Sequence, residues 1–144
     1  MPVKAIPEGY HSVTPYLVVQ GAAQLIDFLK EAFGAAEILR TTGGGGHLHA
    51  EVRIGDSIVM MGEAGGEWPP MPGTIVLYVE DADSVYKRAL QAGAASLVEP
   101  ADQFYGDRMA GVKDPFGNVW WIATHKEDVS PEEMAKRLEA SRKQ

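Results

Sequence analysis

The sequence predicts an α+β fold of two tandem β-α-β-β-β modules that form a cupped mixed sheet, followed by a C-terminal helix. A strand-helix-strand-strand-strand pattern occurs twice, a Gly- and Pro-rich segment separates the two copies, and matching residues recur about sixty positions apart. Hydrophobic residues make up 45% of the 144, which suits one compact core. We expect one domain over residues 1–144: module one at about 13–63, a linker loop at 62–73, module two at about 74–125 and a helix at about 130–142.

The first module opens with a strand over 14–19, rich in β-branched and aromatic residues. A helix is predicted from Ala22 to Phe33, because its apolar residues fall on one helical face and Gly34 suits the position after the last turn. Three strands follow at 37–40, 47–54 and 57–61. Gly55-Asp56 predicts a tight hairpin between the last two.

The second module repeats this order. Thr14-x-x-Leu17-x-Val19 recurs as Thr74-x-x-Leu77-x-Val79, a helix opens at 81–83, and three strands are predicted at 96–99, 108–113 and 119–124. Two paired modules predict a pocket between them. The final helix has Ser130 as N-cap, Pro131 at its first position and Glu133 completing a capping box.

The composition and charge of the chain disfavour several classes of binding partner and exclude cysteine-based sites. A net charge of -7 and a pI near 5.0 disfavour binding to nucleic acid or to an anionic membrane, so a small molecule or a protein is the expected partner. The absence of cysteine excludes thiolate metal ligands and cysteine nucleophiles. No stretch has about 18 consecutive apolar residues and no signal peptide is recognised, so we expect a cytoplasmic protein.

Two such modules, with Lys113-Asp114-Pro115-Phe116-Gly117-Asn118 as the hairpin before a final strand, resemble the vicinal oxygen chelate superfamily. That group includes glyoxalase I, bleomycin-resistance proteins and extradiol dioxygenases. The resemblance covers about 13–125. Within it, the block that runs from 105–108 through Trp120, together with 123–125, is similar to the PhnB-like branch. It implies the glyoxalase/bleomycin resistance fold and a homodimer in which modules from two chains complete each cup.

The resemblance also implies where metal ligands would lie. By the motif match these positions are Thr14, Met60, Thr74 and Trp121, none of which is a usual ligand for a divalent ion. We therefore expect no cofactor and no site of the family's usual kind. A non-standard metal site built from His47, His49, Glu51 or His125 stays open as an alternative.

The stretch Gly46-His47-Leu48-His49-Ala50-Glu51 places His47, His49 and Glu51 on one face of a strand, because side chains alternate. Neighbouring members lie roughly 6.6 Å apart along the strand, so two could chelate one ion but three could not. Glu63 and His125 are the outside donors considered. His49 and Glu51 are the candidate catalytic residues, as a general acid-base pair. The alternative is a hydrogen-bonded pair that orders the strand.

Seven residues are candidates for ligand binding, and all but the cation Arg108, which follows a turn, are predicted to line the cup: Thr14, Tyr16, Met60, Thr74, Tyr78, Trp121 and Arg108. Arg108 could hold a carboxylate or phosphonate, or form a salt bridge with Asp107, Asp114 or Glu51. Trp68 could serve as a lid, an interface anchor or a residue docked on the core.

The sequence favours a metal-free small-molecule-binding protein of the resistance or sequestration type. The alternative is a lyase, isomerase or dioxygenase with a non-standard metal site or acid-base chemistry alone. A third hypothesis is an interaction protein whose cup is filled by its own side chains.

Overall fold

The computed structural model describes residues 3–43 and 46–142, so Gly44 and Gly45, between the strands predicted at 37–40 and 47–54, lie outside the described residues. The predicted order of elements is confirmed. It is β1 (Tyr16–Val19), α1 (Ala22–Phe33), β2 (Ala36–Thr42), β3 (Leu48–Ile54), β4 (Ser57–Glu63), β5 (Thr74–Tyr78), α2 (Ala82–Gln91), β6 (Ala95–Asp102), β7 (Asp107–Lys113), β8 (Val119–His125) and α3 (Pro131–Arg142).

Each module forms its own four-stranded mixed sheet. The strand orders are β1-β4-β3-β2 and β5-β8-β7-β6. In both sheets the first and fourth strands pair in parallel and the remaining pairs are antiparallel. Tyr16 lies opposite Met60 in module one, and Val76 lies opposite Trp121 in module two. The fold class predicted from the sequence is confirmed, with the internal repeat visible in the strand register.

The first helix has the predicted bounds, because its apolar residues recur on one face. Leu25, Ile26 and Leu29 are fully buried. Gly34 takes a left-handed conformation with φ 68°, and its N–H donates to the Lys30 carbonyl at 3.1 Å, which ends the helix. The helix thus turns its apolar side to the sheet.

One hydrophobic core joins the two modules on the helix side of the sheets. Leu17 and Val19 are buried under the helices, whereas Tyr16, which precedes them on β1, is 50% exposed on the opposite face. Phe33 of module one stacks at a tilt on Trp120 of module two, with 4.9 Å between ring centroids. The opposite faces of both sheets are consequently free of helix packing.

The Asp114-Pro115-Phe116-Gly117 turn is a structural hub. The buried Asp114 carboxylate accepts four hydrogen bonds of 2.9 Å, from the backbone of Phe116 and Asn118, the Asn118 side chain and the Trp120 indole. Asn118 Oδ1 in turn accepts from the Gly73 backbone at 2.9 Å. The hairpin therefore fastens the end of the linker to the last strand.

The C-terminal helix α3 lies on the surface and has no buried residue. Its predicted N-cap is confirmed by the Glu133 N–H, which donates to Ser130 Oγ at 3.1 Å. Arg137 holds the helix to the body of the protein through Glu127 and the Phe104 carbonyl. Within the described part of the chain, no helix has the length and apolar character needed to cross a membrane.

Candidate functional site

A cleft of about 530 Å³ opens on the face of the module-one sheet opposite the helices. This volume lies within the roughly 300–1,000 Å³ typical of small-molecule sites. We call it the module-one cleft; it is lined by Tyr16, Val18, His47, Leu48, His49, Gly62, Glu63, Trp68 and Met71. Most of these side chains are apolar or aromatic, which suits a flat ligand.

Strand alternation and the linker loop together form this cleft. Tyr16 and Val18 alternate with core residues on β1, so they face away from the helices. The linker returns along β1, where the Met71 N–H donates to the Val18 carbonyl at 2.8 Å. Gly65 and Trp68 exchange two backbone hydrogen bonds of 2.8 and 2.9 Å, and this tight turn presents the largely exposed Trp68 ring to the cleft.

A glycine makes room for the tyrosine. The Tyr16 ring lies over Gly62 of β4, and a Cβ at residue 62 would be 2.6 Å from Tyr16 Oη and 3.3 Å from Cε1. Any larger side chain would push the phenol away. Gly62 therefore fixes the height of the Tyr16 hydroxyl above the floor of the cleft.

A chain of hydrogen bonds runs from the core edge to the cleft. Tyr10 donates to Glu51 Oε1, Glu51 Oε2 lies 3.0 Å from His49 Nε2, and His49 Nδ1 lies 3.2 Å from Tyr16 Oη. Glu51 is buried, His49 is half-buried and Tyr16 is exposed. The structure therefore brings the two candidate catalytic residues together and adds a tyrosine at each end.

The hydrogen bonds around Glu51 keep its carboxyl group ionised. Burial favours the neutral acid, but hydrogen bonds from Tyr10 and His49 outweigh it, and the net effect lowers the pKa of Glu51. The same hydrogen bond to Glu51 raises the pKa of Tyr10, since the phenolate would face a carboxylate. Tyr10 thus stays a hydrogen-bond donor.

Glu63 serves the helix rather than a ligand. Its two carboxylate oxygens accept the Gly21 and Ala22 backbone N–H groups, each at 2.9 Å, at the start of α1. A carboxylate at this end also complements the helix dipole. Glu63, considered from the sequence as an outside metal donor, has both oxygens engaged.

The two other histidines of the sequence argument lie apart from the chain of hydrogen bonds. His47 precedes β3 and is exposed beside Gly65. His125 belongs to module two, where its Nδ1 and Nε2 lie 2.7 Å from Asp107 and Asp128, and these contacts raise its pKa. Across residues 3–43 and 46–142, no three His, Asp or Glu side chains are grouped so that they could hold a metal ion.

The positions implied for the family's metal carry groups that do not fit one. Thr14 Oγ1 donates to the His11 carbonyl at 3.4 Å, and Met60 offers a thioether, a poor ligand for hard divalent ions. In module two, the Trp121 ring lies over Gly111. This donor set disagrees with the metal sites of the superfamily.

The remaining predicted ligand-binding residues are divided among separate surfaces. Thr14 and Met60 line a pocket of about 370 Å³ together with Glu51 and Tyr10. Tyr78 lines a groove of about 580 Å³ between the modules, and its hydroxyl donates to Asp107 at 2.7 Å. None of these lines the module-one cleft.

Three further predicted residues, Thr74, Trp121 and Arg108, belong to module two. Arg108 forms a bidentate pair with Asp83, at 2.6 and 3.0 Å, and a further contact with Asp102 at 3.1 Å. These carboxylates are not the three expected from the sequence. The hydrogen bonds to Asp83 and Asp102 raise the pKa of Arg108 further, so the guanidinium is a fixed cation in a surface network.

Sequence reasoning missed Tyr10, Gly62 and Met71 as parts of the site. Tyr10 lies 41 positions before Glu51 in an irregular segment, so no period linked the two. The strand predicted at 57–61 extends to Glu63 in the structure, so Gly62 lies inside β4, where a glycine often marks a close approach.

Comparison with known proteins agrees with the architecture. Residues 9–122 match the model of the Glyoxalase/Bleomycin resistance protein/Dioxygenase superfamily. Uncharacterized proteins of Mycobacterium bovis and Mycobacterium tuberculosis are each 38% identical to the chain, over 85% of its length and 89% and 79% of theirs.

Solved structures share the fold at lower identity. TioX from Micromonospora sp. ML1 has a TM-score of 0.69 at 24% identity, covering 80% of this chain and 98% of its own. TnmS3, an antibiotic binding protein from Streptomyces sp. CB03234, has a TM-score of 0.67 at 23% identity, covering 86% and 100%. The chain therefore belongs to the glyoxalase/bleomycin resistance protein/dioxygenase superfamily.

Proposed function

We propose that this protein binds a flat, mainly apolar small molecule in the module-one cleft without a metal, as a resistance or sequestration protein does. The observation that carries the proposal is the cleft itself. Trp68 and Met71 lie on the linker side, while Tyr16 and His49 approach each other with ring centroids 5.6 Å apart on the sheet side. Aromatic side chains hold flat ligands by stacking and by area.

The donor set at the family's metal positions supports the metal-free part of the proposal. Threonine, methionine and tryptophan side chains do not supply the nitrogen and carboxylate ligands that such ions need. The relative described as an antibiotic binding protein gives a precedent for ligand binding on this fold.

We also propose a cytoplasmic homodimer in which a second copy covers the open face of the module-two sheet. Val76 and Tyr78 are 52% and 60% exposed there, which is unusual for large apolar side chains on adjacent positions of one face. Light scattering should give twice the mass of the chain. Val76→Glu should shift the protein to the monomer, and a wild-type protein that is monomeric at 100 µM would contradict the dimer.

Ligand binding can be tested by a thermal-shift screen of flat aromatic compounds, followed by calorimetry. Compounds that stabilise the wild type should stabilise Trp68→Ala much less, because that variant lacks one side of the cleft. Phe104→Ala is the control for truncation of an exposed aromatic side chain elsewhere. If the Trp68→Ala protein bound every hit as tightly as the wild type, the cleft would not be the site.

Metal content tests the other half of the proposal. Protein purified without exposure to chelator should contain far less than one equivalent of Zn, Ni, Fe or Mn per chain. Close to one equivalent would overturn the metal-free proposal, whatever the outcome of the ligand screen.

A second candidate function is metal-free acid-base catalysis as a lyase or isomerase. The contact between His49 and Glu51 favours it, since a carboxylate that orients an imidazole is a common arrangement of general bases. Once turnover of any substrate is found, His49→Gln and Glu51→Gln should each lower kcat by about a hundredfold or more. Unchanged kcat in both variants would exclude these residues.

A further inference from the structure

The hydrogen-bond chain ending at Tyr16 has a direction, which follows from its buried end. Glu51 is held as a carboxylate, and a carboxylate can only accept hydrogen bonds. One oxygen accepts from the Tyr10 hydroxyl, so the contact of the other with His49 requires a proton on Nε2. Neutral imidazole carries one proton, which leaves Nδ1 as an acceptor.

This direction determines what Tyr16 offers to the cleft. Its hydroxyl lies 3.2 Å from His49 Nδ1 and must donate its only proton there. The lone pairs of Tyr16 Oη remain available, on a residue that is 50% exposed and lines the module-one cleft. Tyr16 is therefore presented to a ligand as a hydrogen-bond acceptor.

The single carboxylate among the lining residues has both of its oxygens engaged and is a poor rival acceptor for a ligand donor. This carboxylate, Glu63, already accepts two backbone N–H groups at the start of α1. Val18, Leu48 and Met71 are apolar. A ligand group that reaches Tyr16 Oη thus meets an oriented acceptor in a lining that is mainly apolar and otherwise carries the ring nitrogens of His47, His49 and Trp68.

We propose that the module-one cleft selects aromatic ligands that carry a hydrogen-bond donor, such as a phenolic hydroxyl or a ring N–H, and that they give it to Tyr16 Oη. The inference rests on the proposed binding function. Glu51 acts here as a positioning residue, since it sets the proton on His49 without lining the cleft.

The test uses two pairs of probes that differ by one methyl group: 2-naphthol with 2-methoxynaphthalene, and indole with 1-methylindole. Affinities are measured by calorimetry on the full chain at pH 8.0. The wild type should bind the donor of each pair about three- to tenfold more tightly, the range expected for one net hydrogen bond. In Tyr16→Phe the ratio should fall to about one.

Two further variants sharpen the result. Tyr86→Phe is the control: it removes a tyrosine hydroxyl of α2 that donates to Ser96 of β6 in module two, and it should keep the wild-type affinity ratio. Glu51→Gln offers an amide N–H to His49 Nε2, which moves the imidazole proton to Nδ1 and frees the Tyr16 hydroxyl to donate. The naphthyl ratio should then fall towards one, whereas general loosening would weaken both probes alike.

The outcomes separate this inference from the function on which it rests. Equal binding within both pairs by the wild type, or a preference that survives in Tyr16→Phe, would overturn donor selection and leave ligand binding intact. Failure of all four probes to bind would count against the proposed function itself, and donor selection would fall with it.

Discussion

Gly62→Ala should disturb the site through a single contact, the one between residue 62 and Tyr16 Oη. The new Cβ would lie 2.6 Å from that oxygen, whereas ordinary contacts begin at 3.4 Å, so the hydroxyl must move by about 0.8 Å. The hydrogen bond to His49, already 3.2 Å long, would be lost. The backbone of Gly62 does not have a positive φ, so alanine itself fits there.

The expected change in the free energy of unfolding of Gly62→Ala combines two destabilising contributions and one stabilising contribution. Loss of the hydrogen bond costs about 0.5–1.5 kcal/mol and an off-rotamer tyrosine about as much again. Replacing glycine by alanine at a compatible position stabilises by about 0.4–1 kcal/mol through the unfolded chain. Urea unfolding should therefore give a variant between unchanged and about 2.6 kcal/mol less stable than the wild type.

A double-mutant cycle isolates the contact. In Tyr16→Phe the hydrogen bond and the clashing oxygen are both absent, and the nearest ring atoms lie 3.3–3.4 Å from the new Cβ, so Gly62→Ala should be neutral or stabilising. The coupling free energy should be about 1–3 kcal/mol. Gly43→Ala, whose Cβ would meet only the His47 carbonyl at 3.7 Å, is the control. An equal effect of Gly62→Ala in both backgrounds would refute the reasoning.

Three other predictions concern separate parts of the molecule. Asp114→Ala should lower the free energy of unfolding by about 3–5 kcal/mol, because it leaves buried donors, including the Trp120 indole, without an acceptor. A loss under about 1 kcal/mol in urea unfolding would contradict the structural role of Asp114. The raised pKa of His125 predicts a stabilising contribution that is complete below its unfolded pKa and is lost as pH rises through the folded value. Thermal unfolding from pH 6 to 9 should thus decline more for the wild type than for His125→Gln, and parallel curves would argue against it. The hydrogen-bonded Asp107 has a lowered pKa, so its contribution is lost only as pH falls through the folded value. Trp68→Ala should leave stability within about 0.5 kcal/mol, since the side chain is 63% exposed, while weakening ligands of the cleft about tenfold; a large loss of stability would mean that Trp68 is a core residue.

Local periodicity was enough to predict the framework. The helix face of α1 and the alternation of β3 both place their apolar residues in the core, with Ala50 and Val52 fully buried beneath His49 and Glu51. The same alternation correctly put Tyr16 and His49 on one face. These features follow from the regular repeat of side-chain directions along a helix or a strand, which depends only on residues close together in the sequence.

Long-range placement could not be predicted in the same way. Tyr16, Tyr78 and Arg108 were grouped into one site, but they lie on the module-one cleft, the groove between modules and a surface ion network. Spacing along the chain does not specify how two sheets are oriented towards each other. The partners of Glu63 and Glu51 were hidden for the same reason, since each lies about forty residues away.

The alternation on β1 also bears on how the binding site can change over evolutionary time. Leu17 and Val19 hold the core, while Tyr16 and Val18 face the cleft from the same four-residue strand. Substitutions at 16 and 18 can therefore alter what is bound with little effect on folding. Ligand specificity can therefore change by single substitutions on this strand, because selection on stability and selection on ligand recognition act on different side chains.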